Sequence, residues 1–433
     1  MANNFYRRIL MLATFVFVSG VLQSQTITDS PYSRYGIGEV NSMAFVPQYA
    51  MGGTGIALRS PFMINVLNPA SYSSMKLTTF DVGMSTKNVF FSADTQQLYT
   101  NKTYMNHMAL GTPITKWWGM AFGLMPFSGM GYNYTLNDSL AYIGNVDYYY
   151  KGNGGINKAF LGNSFFIKAD SLNHFSVGFN VSYLFGELFQ ERKMVFKDVS
   201  NVFNTWVIES NAAADFNFDF GIQYIHLLKD NKRIIIGATF AHQQNITSSL
   251  NKAAITFSGN PGFEKKKDTL YFDVGIANKL QTPQSVGLAA MFENTDKFNI
   301  TSEAQKQFWS KTIFNNTGNI ADSYRAAMGL QWIPNYNSSK YTKTIRYRMG
   351  ARYTSTYWNL QNTTLTEYGI TFGFGMPIRV PKSQGVITFP FVNTGIELGR
   401  RGTTQNKLIK ENFINIYLSL SVSDKWFIKR KYD

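Results

Sequence analysis

From Asp215 to Tyr224 the chain reads DFNFDFGIQY. Phe216, Phe218, Phe220, Ile222 and Tyr224 alternate with Asp215, Asn217, Asp219, Gly221 and Gln223. Alternation at every second residue predicts an extended strand with one aromatic face and one polar face. The pattern recurs along most of the chain after about Lys76. Phe80, Val82 and Met84 alternate with Asp81 and Gly83, and Trp118, Met120, Phe122 and Leu124 with Gly119, Ala121 and Gly123. Phe175, Val177, Phe179, Val181 and Tyr183 oppose Ser176, Gly178, Asn180 and Ser182.

The second half repeats it. Val286, Leu288 and Phe292 stand against Ser285, Gly287 and Ala289, and Tyr324, Met328, Leu330 and Trp332 against Arg325, Gly329 and Gln331. Ile345, Tyr347, Met349 and Tyr353 oppose Arg346, Arg348, Gly350 and Arg352, while Tyr368, Ile370, Phe372 and Phe374 oppose Glu367, Gly369, Thr371 and Gly373. With further stretches near Met105, Ala159, Ile236, Phe298, Ile396 and Ile416, the pattern predicts about fourteen strands, an even number as in bacterial membrane barrels.

The connections choose between a soluble sheet and a barrel in lipid. Short links at Thr115-Lys116, Lys229 to Lys232 and Asn294 to Asp296 are rich in turn residues. They alternate with long ones at Thr135 to Asn153, Leu188 to Ser210 and about Thr247 to Thr282. Short turns on one side and long loops on the other are the layout of an outer-membrane barrel. The expected fold class is therefore all-β, a transmembrane antiparallel barrel whose aromatic face meets lipid and whose polar face meets the lumen. Closure also removes the edges that so many aromatic strands would otherwise expose.

Composition agrees. Only 15% of the 433 residues are charged while 16% are aromatic, against about 25% charged in usual globular chains. The mean hydropathy of −0.17 excludes a bundle of membrane helices. Arg7 and Arg8 precede an apolar run from Ile9 to Leu22, which has the form of a secretory leader. Residues 1–24 are read as that leader, with cleavage after Ser24. Residues 25–76 are read as a segment inside the lumen, 77–423 as the barrel and 424–433 as a basic periplasmic tail. No cysteine is present, so neither a lipid-anchored N-terminal cysteine nor a disulfide can form.

The formal charge is +15. The basic residues are dispersed along an exported chain, which argues against nucleic acid and for anionic lipid head groups as partners. Glu264 to Lys267 and the C-terminal stretch from Asp424 are the candidate contacts.

Three stretches resemble the FadL/TodX family of outer-membrane transporters for hydrophobic compounds. Met51 to Met75 is similar to that family's N-terminal hatch, with Asn68-Pro69-Ala70 matching its NPA motif. Lys116 to Tyr132 resembles its third strand, with a break at Pro126-Phe127. Thr282 to Ser310 resembles a segment that runs from a proline, through a glycine-rich strand, to a closing Trp-Ser. The likeness spans Met51 to Val422. It implies a hatch carried by Asn68, Pro69 and Ala70, and a lateral gate at Pro126, Gly129 and Gly131. Three features depart from the family: Ser128-Gly129 follows Phe127 where the family usually has glycine directly, the long loops do not read as the amphipathic helices of its surface groove, and the terminal aromatic residue is missing, Trp426-Phe427 being the nearest aromatic pair.

Read without the resemblance, Asn68-Pro69 is a turn, since proline fixes φ and restricts the residue before it. The GGTG at Gly52 to Gly55 lacks the lysine and the strand–helix frame of a phosphate loop. Asp215, Asp219, Glu303, Arg325, Arg346, Arg348, Arg352 and Glu367 are expected to face the lumen. The arginines could grip a carboxylate head group, or pair internally with the acids; internal pairing is the preferred expectation. His107, His174, His226 and His242 show no metal-ligand spacing, and His226 falls on the lipid face. No Gly-x-Ser-x-Gly elbow occurs. The expectation is a protein that is not an enzyme and uses no metal or cofactor.

Two functions fit a Gram-negative outer-membrane barrel of this kind. The leading expectation is passive uptake of hydrophobic small molecules with lateral exit through the wall. The other is a structural or accessory subunit of an outer-membrane protein export or assembly complex, with protein partners in that membrane. An apolar passage from loops to lumen would favour the first, and a sealed lumen with an exposed patch the second.

Overall fold

The computed structural model describes residues 26–93, 96–199, 202–295, 297–312, 320–379 and 388–425. The leader, Asp296, Trp426, Phe427 and the rest of the basic tail lie outside the described residues. Almost everything else that alternates is strand, because an extended chain is the only conformation that sorts alternate residues to opposite faces.

Before the wall comes β1, the short strand Glu39–Val40. The wall begins with β2 (Thr78–Ala93), β3 (Gln96–Pro113) and β4 (Trp118–Gly129). β5 (Tyr132–Leu140) leads into β6 (Gly144–Lys168), β7 (Asn173–Phe196), β8 (Asn204–Leu227) and β9 (Lys232–Ala241). β10 (Gln244–Ser258) and β11 (Lys265–Thr282) form a hairpin. β12 (Ser285–Asn294), β13 (Phe298–Gln307) and β14 (Ser323–Trp332) follow. β15 (Arg346–Leu360), β16 (Thr363–Pro377), β17 (Thr388–Arg401) and β18 (Lys410–Asp424) complete the circuit.

Neighbouring wall strands are antiparallel. β4 pairs with β6 across β5, and β9 pairs with β12 across the β10–β11 hairpin. β18 closes on β2, from Lys410 opposite Ser92 to Asp424 opposite Thr78. Fourteen of the eighteen strands thus make a closed barrel, the number expected from the alternation. Its facing is also as expected: Phe216, Phe218, Phe220 and Ile222 are exposed, and Asn217, Gly221 and Gln223 are buried. No described helix is long and apolar enough to cross a membrane.

The long connections differ from expectation. Thr135 to Asn153 is a hairpin of β5 and β6, Leu188 to Ser210 is mostly the ends of β7 and β8, and Thr247 to Thr282 is the β10–β11 hairpin. Pairing satisfies the backbone in water as well as in lipid, and these stretches carry the Tyr, Val, Ile and Thr that favour extended chain. β10 pairs with β8 beyond Phe216, from Ser248 opposite Ala213 to Phe257 opposite Asn204. The result is a sheet in the order β5-β6-β7-β8-β10-β11, standing above the apolar belt.

Candidate functional site

The barrel is filled by the segment that precedes it. Pro69–Ser74 forms a short 3-10 turn, with Asn68 at its head accepting a hydrogen bond from the Ala70 N–H at 3.0 Å. Asn68 Nδ2 donates to the Ile56 carbonyl at 2.7 Å and to Ile222 of the wall at 3.2 Å. The hydroxyls of Ser164 and Ser176 both donate to the Ala70 carbonyl. Asn68, Pro69 and Ala70 therefore sit together against β6, β7 and β8.

Wall glycines make this fit possible. A Cβ on Gly178 would lie 2.6 Å from the Ala70 nitrogen, one on Gly329 2.6 Å from the Met51 carbonyl oxygen, and one on Gly373 2.6 Å from the Ala50 Cβ. Added at Gly119, Gly221, Gly237 or Gly350, it would overlap Tyr72, Asn68, Ile56 or Gly52. The glycines on the polar side of the alternation are thus sockets where two backbones meet directly. Polar anchors join them. Glu303 accepts from the Gly55 and Ile56 N–H groups at 2.8 and 3.1 Å, and Thr371 accepts from Gly52 at 2.8 Å. Phe45 stacks on His107 with centroids 3.7 Å apart, and His107 bonds Asp81 at 2.7 Å.

Above this packed layer lies a cavity of about 300 Å³. Lys87, Lys158, Arg325, Arg352 and Arg401 line it together with Glu39, Asp219, Glu303, Glu367 and Glu397. Every one of these charges is paired. Lys87 and Arg401 meet Glu39 at 3.0 and 3.2 Å, Arg352 meets Glu397 at 2.6 Å and also Glu367, Arg325 meets Glu303, and Lys158 meets Asp219. Such a cavity lining is neutral overall, and its arginine forks are occupied. Over it Tyr32, Trp309, Tyr357 and Trp358 form part of a buried apolar cluster, with Trp309 and Tyr357 stacked at 4.3 Å.

Of the eight charges expected in the lumen, Asp219, Glu303, Arg325, Arg352 and Glu367 line the cavity. Three lie elsewhere. Asp215 accepts from Thr247 at the junction of β8 and β10, at 3.0 Å from its N–H. Arg346 lies 4.3 Å from the Phe391 ring centroid. Arg348 is buried between Gln331 and Asn393, at 2.9 Å from each. These two arginines lie on the barrel wall away from the cavity. The pattern missed Glu39, Lys87, Lys158, Glu397 and Arg401. Lys158 and Glu397 do occupy inward positions of the stretches near Ala159 and Ile396, so their alternation was the available signal.

The residues expected to form a gate are brought together, and the N-terminal segment covers them. β3 and β4 stay paired only as far as Met108 opposite Leu124. Beyond Pro126, which has no N–H to give, β4 turns to β1, with Val40 opposite Ser128 and Glu39 opposite Gly129. The Phe127 carbonyl accepts from Asn41 at 2.9 Å, and the Gly131 N–H donates to Ser33 at 3.0 Å. Backbone groups that would be orphaned where two strands part are thereby satisfied.

No group of three or more His, Asp or Glu among the described residues is placed to hold a metal ion.

The fold is shared with solved barrels at low sequence identity. A Pseudomonas aeruginosa FadL homologue superposes with a TM-score of 0.56 at 11% identity, over 88% of this chain and 98% of that one. The Ralstonia pickettii toluene transporter TbuX gives 0.53 at 13%, over 89% and 99%. The Pseudomonas putida toluene transporter TodX gives 0.51 at 12%, over 90% and 100%. The FadL/TodX resemblance is thus one of fold. No curated protein matches the sequence. A family model does match, over residues 5–433, and by that match the chain belongs to the BamG family.

Proposed function

We propose that this protein is a plugged barrel of the Gram-negative outer membrane that acts as a structural or accessory subunit of a protein export or assembly complex. The observation that carries the reading is the filled lumen: a segment seated on wall glycines beneath a cavity whose charges all pair with one another. Sites for hydrophobic molecules are lined mostly by apolar side chains, and here such a molecule would have to pass Arg352, Glu397, Arg401 and Glu39. Similar barrels carry different roles, so the fold of the toluene transporters brings no transport with it.

A second reading, lateral uptake of hydrophobic molecules, has one observation in its favour. The parting of β3 and β4 beyond Met108 and Leu124 would become an opening if Glu39–Val40 moved off β4. In that case Asn68, Pro69 and Ala70 would hold the hatch, and Pro126, Gly129 and Gly131 would frame the gap.

One experiment separates the two. The chain has no cysteine, so Val40→Cys with Ser128→Cys gives a single disulfide that pins β1 to β4. The subunit reading expects the purified barrel in lipid vesicles to pass no toluene-like probe, oxidised or reduced. It also expects the protein to leave the native membrane, in mild detergent, as a particle larger than one barrel. Probe flux that stops on oxidation and returns on reduction would establish the channel instead, and a lone barrel from native membrane would end the subunit reading.

A further inference from the structure

The largest feature left over by the filled lumen is the β10–β11 hairpin. β11 pairs with β10 alone among the described residues, and no described strand pairs with its other edge from Lys265 to Ala277. From Lys265 to Ala277 every residue is exposed. The exposed side chains include Leu270, Phe272 and Val274, at 59%, 69% and 63%, with Tyr271 and Ile276 beside them. In a lipid-facing strand that would be ordinary. Here it is not, because β10 joins β8 only beyond Phe216, above the apolar belt, and β11 lies one strand further out.

An exposed, apolar edge is a site for pairing or aggregation unless something covers it. The hairpin carries partial protection. Register shifts at three places put one extra residue each on β11, near Lys267, Leu270 and Val274-Gly275. Bulges and lysines discourage indiscriminate pairing, yet the apolar side chains remain in the open.

A second copy is a poor occupant. Two barrels in one membrane, related by a two-fold axis along its normal, would bring β11 beside itself in parallel. Lys265, Lys266 and Lys267 would then face their own counterparts, and like charges opposite each other destabilise a pair. The same lysines suit a different protein that presents carboxylates.

We infer that β11 is a docking surface for another protein at the cell surface. The partner lays an extended segment along the β11 edge, covers Leu270, Phe272 and Val274 with apolar side chains, and sets acidic residues against Lys265 to Lys267. Edge addition supplies main-chain hydrogen bonds, and the alternate side chains supply specificity. The inference rests on the reading of the barrel as a subunit and names the face through which it joins.

The test uses the full chain bearing Phe272→Cys, with Tyr142→Cys on the separate β5–β6 tip as the exposed control; Tyr142 is 107% exposed. A membrane-impermeant maleimide is applied to intact cells and to the purified barrel in vesicles containing lipopolysaccharide. In cells the Phe272→Cys thiol should label about tenfold more slowly than the control, as for a surface occupied nine-tenths of the time. In the vesicles the two should label alike. Adding Lys265→Glu, Lys266→Glu and Lys267→Glu should restore rapid labelling in cells. Protection in the vesicles as well would mean that lipid covers the hairpin, and free labelling in both would mean that nothing does; either overturns the inference. Protection that survives the lysine reversals removes the acidic partner. A large native particle whose Phe272→Cys thiol labels freely overturns the docking surface and leaves the subunit reading standing.

Discussion

Asn68 in the lumen is pressed so closely against Gly221 of β8 that a Cβ on the glycine would overlap the Asn68 Oδ1. The same asparagine gives its Nδ2 to the Ile56 carbonyl at 2.7 Å. One residue thus ties the inner segment to itself and to the wall. Gly221→Val should cost about 1–3 kcal/mol through overpacking. Asn68→Ala should cost about 1–3 kcal/mol through the buried groups it leaves unpaired. Ala214→Val, on the same strand but exposed, should stay within about 0.5 kcal/mol. The measurement is the guanidinium midpoint in detergent micelles, and equal midpoints for Gly221→Val and Ala214→Val would remove the socket.

The facing of β8 gives a second expectation. Phe218 points outward from the wall, and Asn217 lines the cavity, where its Nδ2 bonds Asp219 at 3.1 Å. Phe218→Arg should lower the folded fraction in lipid vesicles by about 2–4 kcal/mol if the site lies near the bilayer midplane. Asn217→Arg places its charge beside Asp219 and should cost less. Equal losses at the two positions would contradict the register.

The charges around the cavity should behave as one unit. Arg352 meets both Glu397 and Glu367, and Glu397 also accepts from Tyr417 at 2.5 Å and from Asn415 at 3.1 Å. Arg352→Met leaves the buried Glu397 carboxylate without its cation, while Glu367 keeps Arg401 at 3.4 Å, and should cost about 3–5 kcal/mol. Adding Glu397→Gln should recover part of that loss, since the uncompensated charge falls by one. Strict additivity of the two changes in chemical unfolding would show that the pair is not coupled.

The barrel was legible in the sequence because lipid and lumen impose opposite polarities on alternate residues. DFNFDFGIQY already separates Phe218, which faces out, from Asn217, which faces in. The filling of the lumen was legible only in part. Asn68-Pro69 announces a turn, but nothing local to it says that Gly221 and Gly178, some 150 and 110 residues on along the chain, will receive it. Such glycines look the same whether they face a plug, a ligand or water. The pairing of charges was out of reach for a similar reason. Glu39 meets Arg401 only because the inner segment returns to the end of β17, and alternation records the face of a residue but not its partner. The upper sheet reads as loops from the alternation of short and long links alone, whereas Tyr148 to Tyr150 and Trp206 to Ile208 keep extended pairing within those long links.

At the tip of the β10–β11 hairpin, Glu264 receives a hydrogen bond from Lys193 of β7 at 2.5 Å and one from the Gly262 N–H at 2.9 Å. Lys193 also lies 4.3 Å from the Trp206 ring centroid, so the tip, β7 and β8 meet at one ion pair. The lysine, and after it the Gly262 N–H, hold the Glu264 carboxyl down at about 2, against an ordinary value of 4.5. A carboxyl whose folded pKa lies below its unfolded one binds its proton less readily when folded. Its contribution is therefore complete above about pH 5 and is lost as the pH falls from 4.5 toward 2. Hydrogen exchange of residues 259–268, corrected for the intrinsic pH dependence, should show steady protection above that window and progressive loss within it. Glu264→Gln should lower the protection at neutral pH and flatten the profile between pH 4.5 and 2. A profile that keeps its full slope in that variant would assign the acid sensitivity to another group and release the hairpin tip from its anchor on β7.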